Sequence, residues 1–108
     1  MINWIPLKEK MVLDNAIEKG GLFAVFKHST RCSISNMAKN RLEREWTFGA
    51  EMPIYYLDLL NYRDISNYIS EVSGIHHESP QLIVFNNGKS IYHASHNAID
   101  VNEIVELV

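Results

Sequence analysis

The sequence predicts a single α/β domain over residues 1–108, with helices packed on an open sheet. Short runs of β-branched and aromatic residues alternate with stretches of helical period, in the order β-α-β-α-β-α-β-β-α. No linker-like composition, low-complexity tract or internal repeat interrupts this order. The 108 residues, 46% of them hydrophobic and 21% charged, suffice for one core but hardly for two.

The first third of the chain predicts an edge strand, a helix and a buried strand. The segment Trp4-Ile5-Pro6-Leu7 is restricted to an edge because proline donates no backbone hydrogen bond. The helix after it ends at Gly20-Gly21, and its apolar face consists of Val12, Leu13, Ala16 and Ile17. Residues 22–27 then form an apolar run that predicts a buried strand, with its terminal Lys27 reaching water.

The middle third predicts two helices around a second buried strand, Ile54 to Leu60. A helix beginning near Ser33 has a broad apolar side, made of Ile34, Met37, Ala38, Leu42 and Trp46. Its outer face carries a charge mix typical of a solvated surface, from Lys39, Arg41, Glu43, Arg44 and Glu45. Asp64 is the predicted N-cap of the next helix, whose apolar face comprises Ile65, Tyr68, Ile69 and Val72.

The last third predicts a β-hairpin and a final helix. Residues 81–85 and 90–94 are strands, joined by the turn signal Asn86-Asn87-Gly88-Lys89. Asp100 and Glu103 have the spacing of an N-cap and its reciprocal partner. The helix that they open is expected to turn Val101, Ile104, Val105 and Val108 inward.

Charge and targeting signals narrow the class of protein. A net charge of -3 without a basic run argues against non-specific nucleic-acid binding and against a polybasic membrane patch. The segment Met1 to Lys10 lacks the apolar core of a signal peptide, and no run approaches the length of a membrane span. We therefore expect a cytoplasmic protein without membrane or nucleic-acid partners, in which the single cysteine forms no internal disulfide.

That cysteine, Cys32, lies where the predicted strand meets the predicted helix. The unpaired amides at a helix start favour the thiolate, which is the reactive form. The alternative is a small buried hydrophobe. Arg31 either stabilises a thiolate and attracts an acidic small thiol or is a solvated loop residue, and Thr30 and Ser35 carry the nearest hydroxyls. His28 is interpreted as a hydrogen-bonded structural histidine rather than as a base.

A second constellation precedes the first strand of the hairpin. Pro80 follows a polar run and starts an apolar strand, which makes Ser79-Pro80 a candidate cis peptide bond. His76 and His77 suggest a metal, but adjacent residues on an extended segment point in opposite directions. Cys32 and Glu78 are the only other nearby candidates, so we expect no metal site.

The segments Lys27-His28-Ser29-Thr30-Arg31-Cys32-Ser33-Ile34-Ser35 and His77-Glu78-Ser79-Pro80-Gln81 together resemble the YtxJ-type monothiol bacilliredoxin family of the thioredoxin-like superfamily. The resemblance runs through nearly the whole chain. It implies a thioredoxin-like three-layer α/β/α fold, in which four helices flank a mixed sheet of four to five strands. It also implies that a cis Pro80 faces the thiol of Cys32, the reactive cysteine. The implied activity removes bacillithiol, a low-molecular-weight thiol, from S-bacillithiolated client proteins, with bacillithiol as co-substrate and no bound cofactor.

The resemblance also assigns roles to the neighbours of Cys32. Ser35 stands where dithiol thioredoxins have a resolving cysteine, which implies a monothiol mechanism. Ser33 replaces the proline that follows the cysteine in the family pattern, and we hypothesise that it alters redox poise without removing activity. The backbone of Ser79 is expected to pair with a bound disulfide segment, while His77 and Glu78 position the Pro80 loop.

Two other function classes remain open at this point. One is a thioredoxin-like module that binds clients or senses redox state without catalysis. The other is a reductase that uses the same thiolate on another small oxidised substrate, such as arsenate or a peroxide. The lone Cys32 favours mixed-disulfide chemistry over a self-contained peroxide or arsenate cycle.

Overall fold

The computed structural model describes residues 2–108 and contains one five-stranded sheet. The strands are β1 (Trp4–Pro6), β2 (Leu22–His28), β3 (Ile54–Asp58), β4 (Gln81–Asn86) and β5 (Lys89–Ser95). The helices are α1 (Lys10–Lys19), α2 (Ser33–Glu45), α3 (Arg63–Ser73) and α4 (Val101–Leu107). A short 3₁₀ turn, His96–Ala98, precedes α4 and was not predicted from the sequence. The observed order of strands and α-helices is the predicted one.

The sheet is mixed, with the spatial order β1-β3-β2-β4-β5. The first three strands in this order are parallel, whereas β4 runs antiparallel to β2 and β5 antiparallel to β4. β1 is an edge strand, as Pro6 required. Asn87 and Gly88 form the two-residue loop of the β4–β5 hairpin, and both have positive φ, as a type I′ turn demands.

Two apolar cores lie on opposite faces of the sheet, because successive strand residues point to opposite sides. One face packs against α2 and α4, with Ala24 and Phe26 of β2 facing Leu42 and Ile104. The other face packs against α1 and α3, and includes Leu13, Ala16, Val25, Ile65 and Ile69. The result is a three-layer α/β/α arrangement. Among residues 2–108, no helix has both the length and the apolar content needed to cross a membrane.

Several predicted details differ in the structure. β3 ends at Asp58 instead of Leu60, because the chain turns there and Tyr62 donates its backbone N–H to the Asp58 carbonyl at 3.0 Å. Tyr62 is therefore the N-cap of α3, and the predicted cap, Asp64, lies in the first helical turn. Asp100 is confirmed as the N-cap of α4, where it accepts a hydrogen bond from the backbone N–H of Asn102 at 2.9 Å.

The apolar helix faces are narrower than the sequence pattern suggests. In α2 the buried stripe consists of Ser35, Ala38 and Leu42, and Met37 lies about 100° round the helix from Ala38. Five residues that were expected to face the core are at least one-third exposed: Ile34, Met37, Val72, Val105 and Val108. Each helix contacts the sheet with one side only and faces solvent with the other. Only one stripe of each helix is therefore buried.

Candidate active site around Cys32

The residues singled out from the sequence lie at one end of the strands, where β2 and β3 end and β4 begins. Lys27 of β2 is opposite Gln81 of β4 in antiparallel register. The chain therefore leaves β2 toward Cys32 at the same edge where it enters β4 from Pro80. β3 is parallel to β2 and ends at this edge too. The topology thus brings together the two segments that lie 80 − 32 = 48 residues apart in sequence.

Cys32 is the N-cap residue of α2, at the strand-to-helix junction that the sequence predicted. Its backbone is extended, with φ −106° and ψ 120°, and its carbonyl accepts a hydrogen bond from the Asn36 N–H at 3.0 Å. The side chain makes no capping hydrogen bond and is partly exposed. This exposure does not fit the alternative of a buried hydrophobe. The thiol lies beside the unpaired amides of the helix start, within reach of a disulfide from solvent.

Ser35 joins the first turn of α2 to the end of β2. Its buried hydroxyl lies 2.6 Å from Nδ1 of His28 and accepts the backbone N–H of Ser29 at 3.1 Å. The sequence suggests this hydroxyl as a partner of the thiolate, but in the structure its bonds are to His28 and Ser29 instead of Cys32. His28 and Ser29 lie at the end of β2, where the Cys32 loop begins. They are therefore close enough to bind the Ser35 hydroxyl in place of the thiolate.

His28 is a structural histidine, in agreement with its sequence-based interpretation. Its ring is buried on the α2 side, with its centroid 5.7 Å from the stacked ring of Phe26 and 5.5 Å from the tilted ring of Tyr56. Burial is the main cause that lowers the pKa of His28 below its ordinary value, and the Lys39 cation adds to the effect. The neutral imidazole therefore keeps its bond to Ser35 at neutral pH.

Lys27 is fully buried, contrary to the expectation that it reaches water. Its Nζ donates to the Ser66 carbonyl at 3.2 Å and lies 3.4 Å from Oγ of Ser70, both on α3. It also lies 3.1 Å from Nδ1 of His77. Because Lys27 alternates with His28 across the sheet, it points into the α1/α3 layer. Burial lowers the pKa of Lys27 to about 8.

The peptide bond between Ser79 and Pro80, a candidate cis bond in the sequence, is cis. The Pro80 carbonyl accepts the backbone N–H of His96 at 3.0 Å, and the Gln81 side chain donates to the His76 carbonyl at 3.0 Å. The Glu78 carboxylate accepts a hydrogen bond from Ser95 at 3.0 Å. The loop of residues 76–80 is thus fastened to β4 and β5. Within the part of the chain that the structure describes, the shielded hydroxyl of Ser79 has no hydrogen-bond partner.

Thr30 and Arg31 are exposed on the loop before Cys32 and line an open depression of about 340 Å³. Leu60 and Asn61, from the turn after β3, form the rest of its lining. The depression therefore offers an arginine, a hydroxyl, an amide and an apolar side chain next to the loop that bears the thiol. Ser33, directly after Cys32, begins α2 and is exposed.

Lys27, Leu60, Asn61 and Asp58 belong to this region but were not singled out as site residues. Asp58 accepts a 2.7 Å hydrogen bond from Asn61 on Oδ2, while its shielded Oδ1 has no partner among residues 2–108. The parallel pairing of β3 with β2 brings Asp58, Leu60 and Asn61 to this region, and only the strand order could have indicated it. In the same described range, no three His, Cys, Asp or Glu side chains gather as a metal site.

Comparison with protein families gives a match to the model described as monothiol bacilliredoxin BrxC, over residues 5–104. Among solved structures, one described as a candidate oxidoreductase with a thioredoxin fold is 31% identical to this chain. It superimposes with a TM-score of 0.84, covering 95% of this chain and 91% of the other. This similarity agrees with the chemistry that an accessible N-cap thiol supports.

More distant thioredoxins share the fold alone. A mutant thioredoxin from Halobacterium salinarum is 13% identical, with a TM-score of 0.72 over 98% of this chain and 88% of its own. Oxidised thioredoxin from Plasmodium falciparum is 15% identical, with a TM-score of 0.73 over 97% of each chain. The thioredoxin-like fold is therefore confirmed, and thiol–disulfide oxidoreduction is the class of activity that the matches support. The chain belongs to the monothiol bacilliredoxin family.

Proposed function

We propose that this protein removes bacillithiol from S-bacillithiolated proteins through a mixed disulfide on Cys32. The observation that carries the proposal is the pairing of one accessible N-cap thiol with a serine at the resolving position. The chain contains a single cysteine, so it cannot complete a reaction by forming an internal disulfide. The proposed setting is the cytoplasm, where small thiols keep protein thiols reduced.

The first step is an exchange in which no net oxidation occurs. The Cys32 thiolate attacks the bacillithiol sulfur of the client's mixed disulfide, and the client cysteine leaves as a thiolate that takes a proton from water. One sulfur–sulfur bond breaks and one forms. The client is reduced, and Cys32 carries the bacillithiol.

The second step needs a thiol from outside the protein. Ser35 has no sulfur, and its hydroxyl is bonded to His28 and Ser29, so this position cannot expel the adduct. A second bacillithiol, as thiolate, attacks the bacillithiol sulfur on Cys32, giving bacillithiol disulfide and the free Cys32 thiolate. Bacillithiol is thus a co-substrate in this scheme, and no bound cofactor takes part.

The surroundings of Cys32 suit a polypeptide that carries a small acidic adduct. Ile34 and Leu60 are 48% and 43% exposed and offer apolar contacts beside the thiol loop. Arg31 is an exposed cation on the same loop, in reach of a carboxylate on the small thiol. The Ser79 backbone, before the cis proline, is the segment expected to pair with the client chain as an added strand.

The test is to incubate the protein with a bacillithiolated client and to follow the intact masses of both proteins. We expect the client to lose the bacillithiol mass while the enzyme gains it, and Cys32→Ala to gain none. Added bacillithiol should then restore the unmodified enzyme mass. A matched control, Cys32→Ser with Ser33→Cys, keeps one thiol but moves it from the N-cap to the first helical position. This control should transfer at least about tenfold more slowly, because the sulfur no longer lies in near-attack geometry.

Three outcomes would overturn the proposal. Client binding without any mass transfer would support a binding or redox-sensing module. Rapid reduction of arsenate or a peroxide, with no transfer from the mixed disulfide, would support a reductase of another small substrate. Loss of bacillithiol from the client at the same rate with Cys32→Ala as with the wild type would show that Cys32 does not carry the reaction.

A further inference from the structure

Lys27 is the one fully buried cation among the described residues, and its surroundings contain no carboxylate partner. Lysine is almost never fully buried unless it is paired, because removing an ammonium from water is costly. Its Nζ contacts only neutral groups, which are a carbonyl and a hydroxyl of α3 and the ring of His77. A methionine would fill the same space without this cost, so the polar end of the side chain calls for an explanation.

We propose that Lys27 is a positioning residue for thiol–disulfide exchange, which holds the Ser79–Pro80 segment in place relative to Cys32 through its contact with His77. Lys27 belongs to β2, the strand that leads to Cys32 five residues later. His77 begins the run His77-Glu78-Ser79-Pro80. A hydrogen bond between them therefore joins the two segments that meet a substrate. The proposal rests on the function proposed above only for the assignment of Ser79 as the client-pairing residue.

The hydrogen-bond chemistry defines the state of the contact. Nδ1 of His77 lies 3.1 Å from Nζ of Lys27 and 3.2 Å from Oγ of Ser66. A lysine Nζ donates, so Nδ1 accepts and the proton of the neutral ring is on Nε2. Burial lowers the pKa of His77, with the Lys27 and Arg63 cations adding to the effect, which keeps the ring neutral.

The other hydrogen bonds of the loop of residues 76–80 do not replace the contact between Lys27 and His77. The Gln81 side chain donates to the His76 carbonyl, and the Glu78 carboxylate accepts from Ser95. These two hydrogen bonds join the loop to β4 and β5 only. Among the described residues, His77 provides the link from the loop to the side chains of β2 and α3, through Lys27 and Ser66. Loss of the Lys27 contact would let the loop shift relative to the thiol, and a displacement of about 1 Å at a reacting centre can cost about 100-fold in rate.

The test compares two disulfides that share a reactive group and differ in the polypeptide. One is a peptide whose cysteine carries thionitrobenzoate, and the other is free dithiobis(nitrobenzoate). For Lys27→Met, we expect the second-order rate constant of thionitrobenzoate release from the peptide to fall by about tenfold or more, while that from the free reagent stays within about twofold. Each reaction is a single turnover, in which the Cys32 thiolate displaces thionitrobenzoate and forms a mixed disulfide with the other half of the probe. His77→Ala removes the same contact from the loop side together with the Ser66 contact, so its loss should be at least as large. The double variant should be no worse than His77→Ala alone, because the Lys27–His77 contact is already absent there.

The controls separate positioning from general damage. Lys89→Met, beside the hairpin turn at the opposite end of β4, should leave both rates unchanged. His77→Ala keeps the experiment decisive if Lys27→Met does not fold, because His77 is only half-buried and lies outside the strands. Equal losses with both disulfides, or full additivity of the two substitutions, would overturn the proposal. The probe contains no bacillithiol, so this result stands apart from failure of the proposed de-bacillithiolation.

Discussion

The buried ammonium of Lys27 should make the stability of the protein depend on alkaline pH. We consider Lys27→Met, which nearly keeps the length of the side chain and removes the titrating group. In the folded protein the pKa of Lys27 falls to about 8 from an ordinary value of 10.5, because the side chain is buried. Below about pH 8 both the folded and the unfolded chain hold the proton, so the burial cost is fully present there.

The sign and size of the effect follow from proton linkage. Between about pH 8 and 10.5 the unfolded chain binds one more proton than the folded chain, so the free energy of unfolding rises with pH. From about pH 7.5 to 9.5, the wild type should gain about 2 kcal/mol relative to Lys27→Met. This is an upper bound, because any solvent that reaches the ammonium reduces the shift.

The assay is urea unfolding at several pH values, followed by tryptophan fluorescence. All proteins should carry Cys32→Ala, so that the thiol neither titrates nor forms intermolecular disulfides. The other titrating groups are common to both proteins and cancel in the difference, apart from His77. The pKa of His77 is no longer lowered by the Lys27 cation in the variant, but burial still lowers it, so the ring is neutral in both proteins over this pH range. Lys89→Met, which replaces an exposed lysine, should give a curve parallel to the wild type. Parallel curves for the wild type and Lys27→Met as well would refute the reasoning, since they would mean that the Lys27 ammonium is effectively solvated.

Three further predictions test the architecture of the fold by the free energy of unfolding in urea. Ser35→Ala should cost about 1–3 kcal/mol, because it leaves Nδ1 of the buried His28 ring without its hydrogen-bond partner. An unchanged unfolding midpoint would contradict this hydrogen bond. Ile104→Ala should cost about 2–5 kcal/mol, because its side chain is fully buried. Val105→Ala, at a site 47% exposed, should cost less than about 1 kcal/mol. Similar losses for the two variants would contradict the orientation of α4. Asp100→Ala should cost about 1 kcal/mol through loss of the N-cap bond, and a negligible change would show that the cap is frayed in solution.

The fold could be predicted from the sequence because its local signals agree with one another. The run from Leu22 to Lys27, the Asn87-Gly88 turn and the Asp100 cap each point to the element that forms. The errors fall at element ends and on helix faces. Periodicity cannot say how wide a stripe the sheet will cover, so exposed residues such as Met37 were placed in the core.

The site was only partly predictable, for a reason that concerns side-chain partners. Residues on the two motif segments could be singled out along the chain, and the topology brings them to one edge. The partners of Lys27 and Ser35 depend on which face each strand residue takes and which helix covers it. Lys27 was expected at the surface because strand-end lysines usually reach water, but α3 covers this end of β2. Asp58 and Asn61 can be assigned to the site only when β3 is known to lie beside β2.

The hydroxyl of Ser35 at the resolving position has a kinetic consequence for the proposed function. An internal resolving thiol would attack an adduct at an effective concentration set by the protein, independent of the cell. Here that position is a hydroxyl, so under the proposed function the lifetime of the adduct on Cys32 would scale inversely with the concentration of free small thiol. The modified fraction of Cys32 would then rise whenever the reduced thiol pool is depleted. The serine at this position would thus leave the turnover of the proposed reaction under the control of the small-thiol concentration.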